Sequence, residues 1–210
     1  MRTESQKNLY YIHDPMCSWC YAFAPSLKKI TLALQNQIQI QSLVGGLAVD
    51  SDQPMTEQTK RHVKEAWTRI EAEVPGTSFN FDFWEQCQPR RSTYPACRAV
   101  ILARQSSTEH EKAMIDAIQQ AYYQQAKNPS DDNLLCDLAS EIGLNTAQFS
   151  NQLNSVETRE LLAQELQLVR QLGVTSFPSM VLQNNQSTLL IPLSYTEPDT
   201  VITHIKTALK

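Results

Sequence analysis

The order of apolar and polar positions divides the chain into three stretches. Residues 8–13, Asn8-Leu9-Tyr10-Tyr11-Ile12-His13, form a short aromatic and β-branched run closed by Asp14-Pro15, which reads as a buried strand ended by a turn. From Ser18 to about Leu34, apolar Ala22, Phe23, Leu27, Ile30 and Leu34 recur at three- and four-residue spacing. That is one buried face of a helix, which Pro25 is expected to kink. Residues 38–44 alternate apolar and polar and run into Gly45-Gly46, a second strand with a close backbone approach at its end. Strand, helix and strand in this order predict a parallel βαβ unit.

The middle stretch, from about Met55 to Leu172, carries no strand pattern. It reads as helical segments joined by loops, with a Pro-rich, aromatic loop from Val74 to Pro95. Val63, Trp67 and Ile70 share one helical face, and further helices run from about Pro95 to Ser106 and from about Thr108 to Ala126. Ser130 before Leu134 marks a helix start, Gly143 a stop, and Asn145 with Gln148 a capping box. Leu161, Leu162, Glu165, Leu168 and Leu172 form the last series, which Gly173 ends as a C-cap. The strand pattern returns at Ser179–Gln183 and, after the polar turn 184–187, at Thr188–Ile191, giving a hairpin. A final amphipathic helix follows Pro198, with Val201, Ile202, Ile205 and Leu209 on one face.

Composition narrows the partners. Eighteen basic against 22 acidic residues leave a net charge of -4, with no basic block of the kind that neutralises phosphates, so nucleic acid is not an expected partner. No run approaches the ~18 apolar residues of a membrane span, and the start MRTESQKNLYYIHD has no apolar secretion segment; the expected location is the cytoplasm. Five cysteines, at 17, 20, 87, 97 and 136, are an odd number, and a reducing compartment keeps structural thiols free.

One pair stands apart. Cys17-Ser18-Trp19-Cys20 is a CxxC at the start of the first helix. Unpaired backbone N–H groups and the positive end of the helix dipole stabilise a thiolate on Cys17. Cys20, one turn inside, is placed to attack a mixed disulfide on Cys17 and release the substrate. The competing reading, a zinc half-site, lacks a second CxxC or a closely spaced His pair, so no metal is expected.

The arrangement resembles the thioredoxin superfamily, and within it the DsbA-like branch. Asp14-Pro15-Met16-Cys17-Ser18-Trp19-Cys20, Gly45-Gly46 and Gly173-Val174-Thr175-Ser176-Phe177-Pro178 are similar to the cytosolic FrnE-like subgroup of predicted protein-disulfide isomerases. The resemblance implies an α/β, thioredoxin-like fold formed by residues 1–54 and 173–210, with an all-helical domain, 55–172, inserted between the βαβ and ββα halves. It further implies a cis Phe177-Pro178 bond facing the CxxC, with the Phe177 backbone binding an extended substrate segment.

On this basis the expected activity is thiol-disulfide exchange on protein or small-molecule disulfides. It needs no metal or organic cofactor, and glutathione is the candidate redox partner. Ser18-Trp19 departs from the dipeptides of thioredoxins and periplasmic oxidants, leaving oxidant, reductant and isomerase open, and aromatic Phe177 narrows the expected groove. Two alternatives stand beside it: a glutathione-dependent transferase or isomerase on the same scaffold, whose relatives generally use Ser at position 17, and a redox-sensing binding module.

Around the motif each residue has a functional and a plain reading. Met16 and Trp19 either shape the substrate surface or pack against the domain interface. His13 either tunes the thiolate or hydrogen-bonds locally, and Asp14 is expected to cap the loop rather than act as a base, its charge opposing the helix effect. Cys87 and Cys97 are a candidate second redox pair, against core packing for both and for Cys136. Arg90, Arg91 and Arg98 are candidate ligands for a carboxylate such as glutathione's or a substrate's, against a solvated or intramolecular ion-pair role. Phe79, Phe81, Phe83 and Trp84 either line a groove or anchor a long loop.

Overall fold

The computed structural model describes residues 7–184 and 187–210. Strands β1 (Asn8–His13), β2 (Ile40–Val44), β3 (Ser179–Gln183) and β4 (Thr188–Ile191) form one sheet in the order β2-β1-β3-β4. β1 runs parallel to β2 and antiparallel to β3, and β3 antiparallel to β4. The βαβ unit and the hairpin thus meet at β1 and β3, as the sequence pattern predicts; residues 185 and 186 of the hairpin turn lie outside the described residues.

Helices cover both faces of the sheet. Helix α1 (Ser18–Leu34) passes through Pro25 without a break, and α9 (Pro198–Leu209) packs beside it. Their Phe23, Ile30, Leu34, Val201 and Ile205 bury against Leu9, Tyr11 and Met180 of the sheet. Each such side chain removed from water contributes about 1.5–3 kcal/mol. The opposite face, with Tyr10, Ile12, Leu43 and Val181, is covered by Val169 and Leu172 at the end of α8 (Val156–Gln171).

Between β2 and β3 the chain is helical: α2 (Glu57–Glu73), α3 (Phe83–Gln86), α4 (Tyr94–Ser106), α5 (Thr108–Tyr123), α6 (Asp132–Glu141), α7 (Thr146–Leu153) and α8. α3 lies inside the segment expected to be loop; at four residues it is one turn, too short to show a period. α5 ends at Tyr123, three residues before the expected limit, and Ala126 follows at φ 52°. The start expected at Ser130 falls at Asp131, whose extended backbone precedes Asp132. Asn145 caps α7 by accepting Gln148 N–H at 2.9 Å, and Gly143 and Gly173 close α6 and α8 at φ 86° and 74°.

The helical core is built on Trp67, whose ring meets Phe79, Phe81, Phe83 and Trp84 at centroid distances of 4.9, 5.5, 6.0 and 5.0 Å. Those four aromatics therefore anchor the long loop. The same cluster takes in Met16, Ala22 and Val44, so the helices and the sheet share one interior beside the CxxC. Two carboxylates, one partly and one fully buried, bind the halves by hydrogen bonds. Glu165 of α8 accepts Val44 N–H at 2.8 Å and pairs with Arg104, which also holds Glu111 at 2.8 Å. Asp14 does the equivalent at the motif.

Candidate active site

Cys17 caps α1. Its backbone is extended (φ -85°, ψ 116°), and its N–H donates to Asp14 O at 3.0 Å, closing the turn that Asp14-Pro15 begins. The Cys20 N–H, one of the donors a helix start leaves free, points at Cys17 Sγ at 3.4 Å. On its other side Cys17 Sγ lies 3.6 Å from the Phe177 carbonyl. The Phe177-Pro178 bond is cis, so the two segments singled out in the sequence meet across the sheet end.

Both sulfurs are shielded, Cys17 being 6% and Cys20 2% exposed. Burial pushes the Cys20 thiol well up, with its bond to Cys17 and the nearby Asp14 charge adding to the effect. Cys20 therefore waits as a thiol, as a resolving group must while the first sulfur reacts. No disulfide links any of the five cysteines.

Asp14 is fully buried and holds the motif in place. Oδ1 accepts Met16 N–H at 2.8 Å; Oδ2 accepts Leu47 N–H at 2.7 Å, Thr93 Oγ1–H at 2.6 Å and, at 3.6 Å, the Cys97 thiol. These donors come from the loop before α1, the loop after β2, and α4 with the residue preceding it. Burial raises the Asp14 carboxyl, and the four bonds oppose that rise. The expectation of a loop cap holds, and the reach into the helical half is new. His13 sits on β1 with its Nε2 2.9 Å from Ser42 Oγ and its ring stacked on Tyr11 at 5.3 Å. Burial, and secondarily Arg104, lower it to about 3, so the imidazole is neutral.

Ser18 is half-buried at the helix start, and Met16 is buried in the shared core. Trp19 is half-buried, edge-on to Tyr195 at 5.2 Å, with the Arg69 guanidinium 5.1 Å over its ring. An open hollow beside it is lined by Trp19, Val74, Leu193, Ser194 and Tyr195. The phenols of Tyr195, Tyr11 and Tyr123 are pushed up, by burial first, with Cys17 and Cys20 adding to the effect. Sequence reasoning missed all three, because nothing in a lone tyrosine's spacing announces a long-range contact.

The arginines and the outer cysteines settle into local roles. Arg98 is buried: Nη1 and Nη2 grip Asp50 at 2.9 Å each, Nε donates to Leu153 O, and Nη2 also reaches Asn154. Its guanidinium is committed within the protein, which corrects the glutathione-carboxylate reading. Arg90 binds Ser130 O and Asp131, while Arg91 is exposed. Cys87 donates to Ala126 O at 3.0 Å while Cys97 faces Asp14, so the two thiols serve separate contacts; Cys136 packs half-buried on the helical core. Among the described residues no cluster of three or more His, Cys, Asp or Glu could hold a metal ion.

Residues 10–197 match the thioredoxin family. The chain belongs to that family. Within it the fold is DsbA-like, a thioredoxin fold with helices inserted between its halves. A candidate protein disulfide isomerase from Nitrosomonas europaea is similar over 97% of this chain and 98% of its own, at 26% identity and a TM-score of 0.84. The cytosolic disulfide reductase DsbM of Pseudomonas aeruginosa shares the fold at 24% identity, with a TM-score of 0.76 over 96% and 98% of the two chains. The ClpXP adapter protein SpxH of Bacillus subtilis is 25% identical over 192 residues, 89% of this chain. The chain spans 62% of that adapter's length, and 58% of its counterpart in Halalkalibacterium halodurans.

Proposed function

We propose that this thioredoxin-family chain is a cytoplasmic disulfide reductase or isomerase, in which Cys17 attacks a substrate disulfide and Cys20 resolves the mixed disulfide. The observation that carries it is the placement of Cys17 Sγ between the Cys20 N–H and the Phe177 carbonyl of the cis-proline loop. The N–H favours negative charge on the sulfur, and the loop offers backbone to an extended substrate. Trp19 and Phe177 form the walls the substrate meets, Pro178 fixes the loop, and Met16, Ser18 and His13 support the motif from behind. The half-reactions balance as disulfide plus two protein thiols giving two substrate thiols plus the Cys17-Cys20 disulfide.

Glutathione is the redox partner of this reading. DsbM, which shares the fold, is a cytosolic disulfide reductase and has been solved with GSH. Neither a metal nor an organic cofactor enters the cycle. The test is a Cys20→Ser protein, which should accumulate mixed disulfides with glutathione or a model peptide, whereas Cys17→Ser should form none. A fully active Cys20→Ser protein that traps nothing would contradict the two-cysteine mechanism.

A second reading, a redox-sensing adapter, is favoured by one surface feature together with the SpxH relatives. Leu189 and Leu190 on edge strand β4 are 48% and 60% exposed, an apolar edge open to a client strand. Catalytic reduction of a model disulfide at substoichiometric protein separates the two, because a sensor stops after one equivalent.

A further inference from the structure

Trp19 stands between the two cysteines, and the inserted helices set a cation on it. The Arg69 guanidinium lies 5.1 Å over the indole ring, and its side chain is 61% exposed. Arg69 belongs to α2, so this contact joins the helical half to the first turn of α1, beside Cys20. Its ion-pair partner Glu73 stands 3.9 Å away, beyond hydrogen-bond length, and is itself 56% exposed. An exposed pair of that kind contributes little, so the guanidinium keeps its donors free for a ligand.

The outer surface of α2 carries Lys60, Arg61, Lys64 and Arg69 against Glu57 and Glu65, a local excess of positive charge in a chain whose net charge is -4. Lys60 is taken up by Glu57 at 2.7 Å, and Lys64 lies 5.7 Å over Trp84. Arg69 is the one of these cations seated on a residue of the motif. The hollow beside Trp19 adds apolar walls from Val74, Leu193 and Tyr195. Glu73 also lines that hollow, so an anion is drawn to the guanidinium and not into the hollow itself.

We propose that Arg69 is a specificity-determining residue, which selects disulfides carrying a carboxylate near the sulfur by pairing that carboxylate over Trp19. The planar fork of an arginine takes a carboxylate through two parallel N–H bonds, and the indole beneath it limits the positions the fork adopts. A carboxylate of glutathione and an acidic residue beside a protein disulfide share this chemistry. The inference rests on the exchange cycle proposed above and adds to it a preference among substrates, supplied by the inserted helices.

The test mixes pre-reduced protein with excess disulfide and reads the single-turnover rate at which the Cys17-Cys20 disulfide forms, as substrate disulfide plus protein dithiol give two substrate thiols plus the protein disulfide. The substrates are oxidised glutathione, a short peptide disulfide with Glu beside the cysteine, its Gln counterpart, and uncharged hydroxyethyl disulfide. Arg69→Gln should slow an acidic substrate about tenfold, the loss of one charge-assisted contact, and leave the uncharged disulfides unchanged. The wild-type preference should also shrink at high salt, because the guanidinium is exposed. A loss with glutathione alone assigns the carboxylate to a small thiol, and a loss with the Glu peptide assigns it to a polypeptide. Equal slowing of charged and uncharged disulfides, as expected if Arg69 merely props Trp19, or no slowing of any, would overturn the proposal while leaving the exchange cycle standing. A wild type that forms no Cys17-Cys20 disulfide with any of them would remove the cycle itself.

Discussion

The Phe177 ring packs against Gly45: a Cβ built on that glycine would stand 2.2 Å from Phe177 Cε1 and Cζ. Gly45 N–H also donates to His13 O at 2.6 Å, so the glycine is held at the end of β2 and cannot withdraw. One glycine thus seats the aromatic residue whose carbonyl faces Cys17. Gly45→Ala is expected to push Phe177 off this seat and raise the KM for a disulfide substrate severalfold. It should also cost about 1–3 kcal/mol of stability through overpacking. Steady-state kinetics and urea unfolding on the same preparation check both effects.

His13 gives the protein an acid limit. Its folded value of about 3 lies below the ordinary 6.5, so between these values the unfolded chain binds a proton that the folded chain refuses. Stability therefore falls as pH drops from about 6.5 toward 3, with a slope approaching about 1.4 kcal/mol per pH unit. Asp14, whose carboxyl is raised by burial, works in the opposite sense above the ordinary 3.8. His13→Gln keeps Asp14 and removes the imidazole, so urea midpoints across this window should be flatter than those of wild type.

Asp14→Asn replaces an acceptor of four donors with a group that must turn an NH2 toward some of them. The expected loss is about 1–3 kcal/mol. The nearby charge also helps hold the Cys20 thiol up, so resolution of a Cys17 mixed disulfide should begin at lower pH in the variant. Chemical denaturation reads the first effect, and quenched single-turnover release of glutathione reads the second.

Arg98→Ala removes a buried guanidinium that binds Asp50, Leu153 O and Asn154. A loss of about 3 kcal/mol is expected, mostly from the cavity and the orphaned acceptors, because Asp50 is partly exposed and can rehydrate. At a temperature where the variant is folded, its affinity for glutathione should equal that of wild type by calorimetry, since Arg98 holds no ligand.

Local chemistry made much of this legible in the sequence. β1, α1, the β3-β4 hairpin and α9 follow from apolar period, proline and glycine, which act over a few residues. The CxxC at a helix start is local in the same way, while the cis Phe177-Pro178 bond was carried by resemblance alone. What the sequence hid depends on contacts between distant segments. The sequence leaves Arg98 open between a ligand for a bound carboxylate and an ion pair, which only the approach of Asp50 decides, and Asp14 reads as a turn cap until Thr93 and Cys97 arrive from the helical half. Tyr11 and Tyr123 are buried and Tyr195 half-buried, and nothing in the sequence connects any of them to the motif.

The central claim is that Cys17 and Cys20 form one reversible two-electron couple. It is tested most directly by equilibrating the pure protein with glutathione buffers and reading the intramolecular disulfide by mass spectrometry after acid quench and peptide mapping. The account predicts a single transition confined to the Cys17-Cys20 peptide, with Cys87, Cys97 and Cys136 remaining thiols throughout. A protein in which Cys17 and Cys20 never join at any glutathione ratio would contradict it.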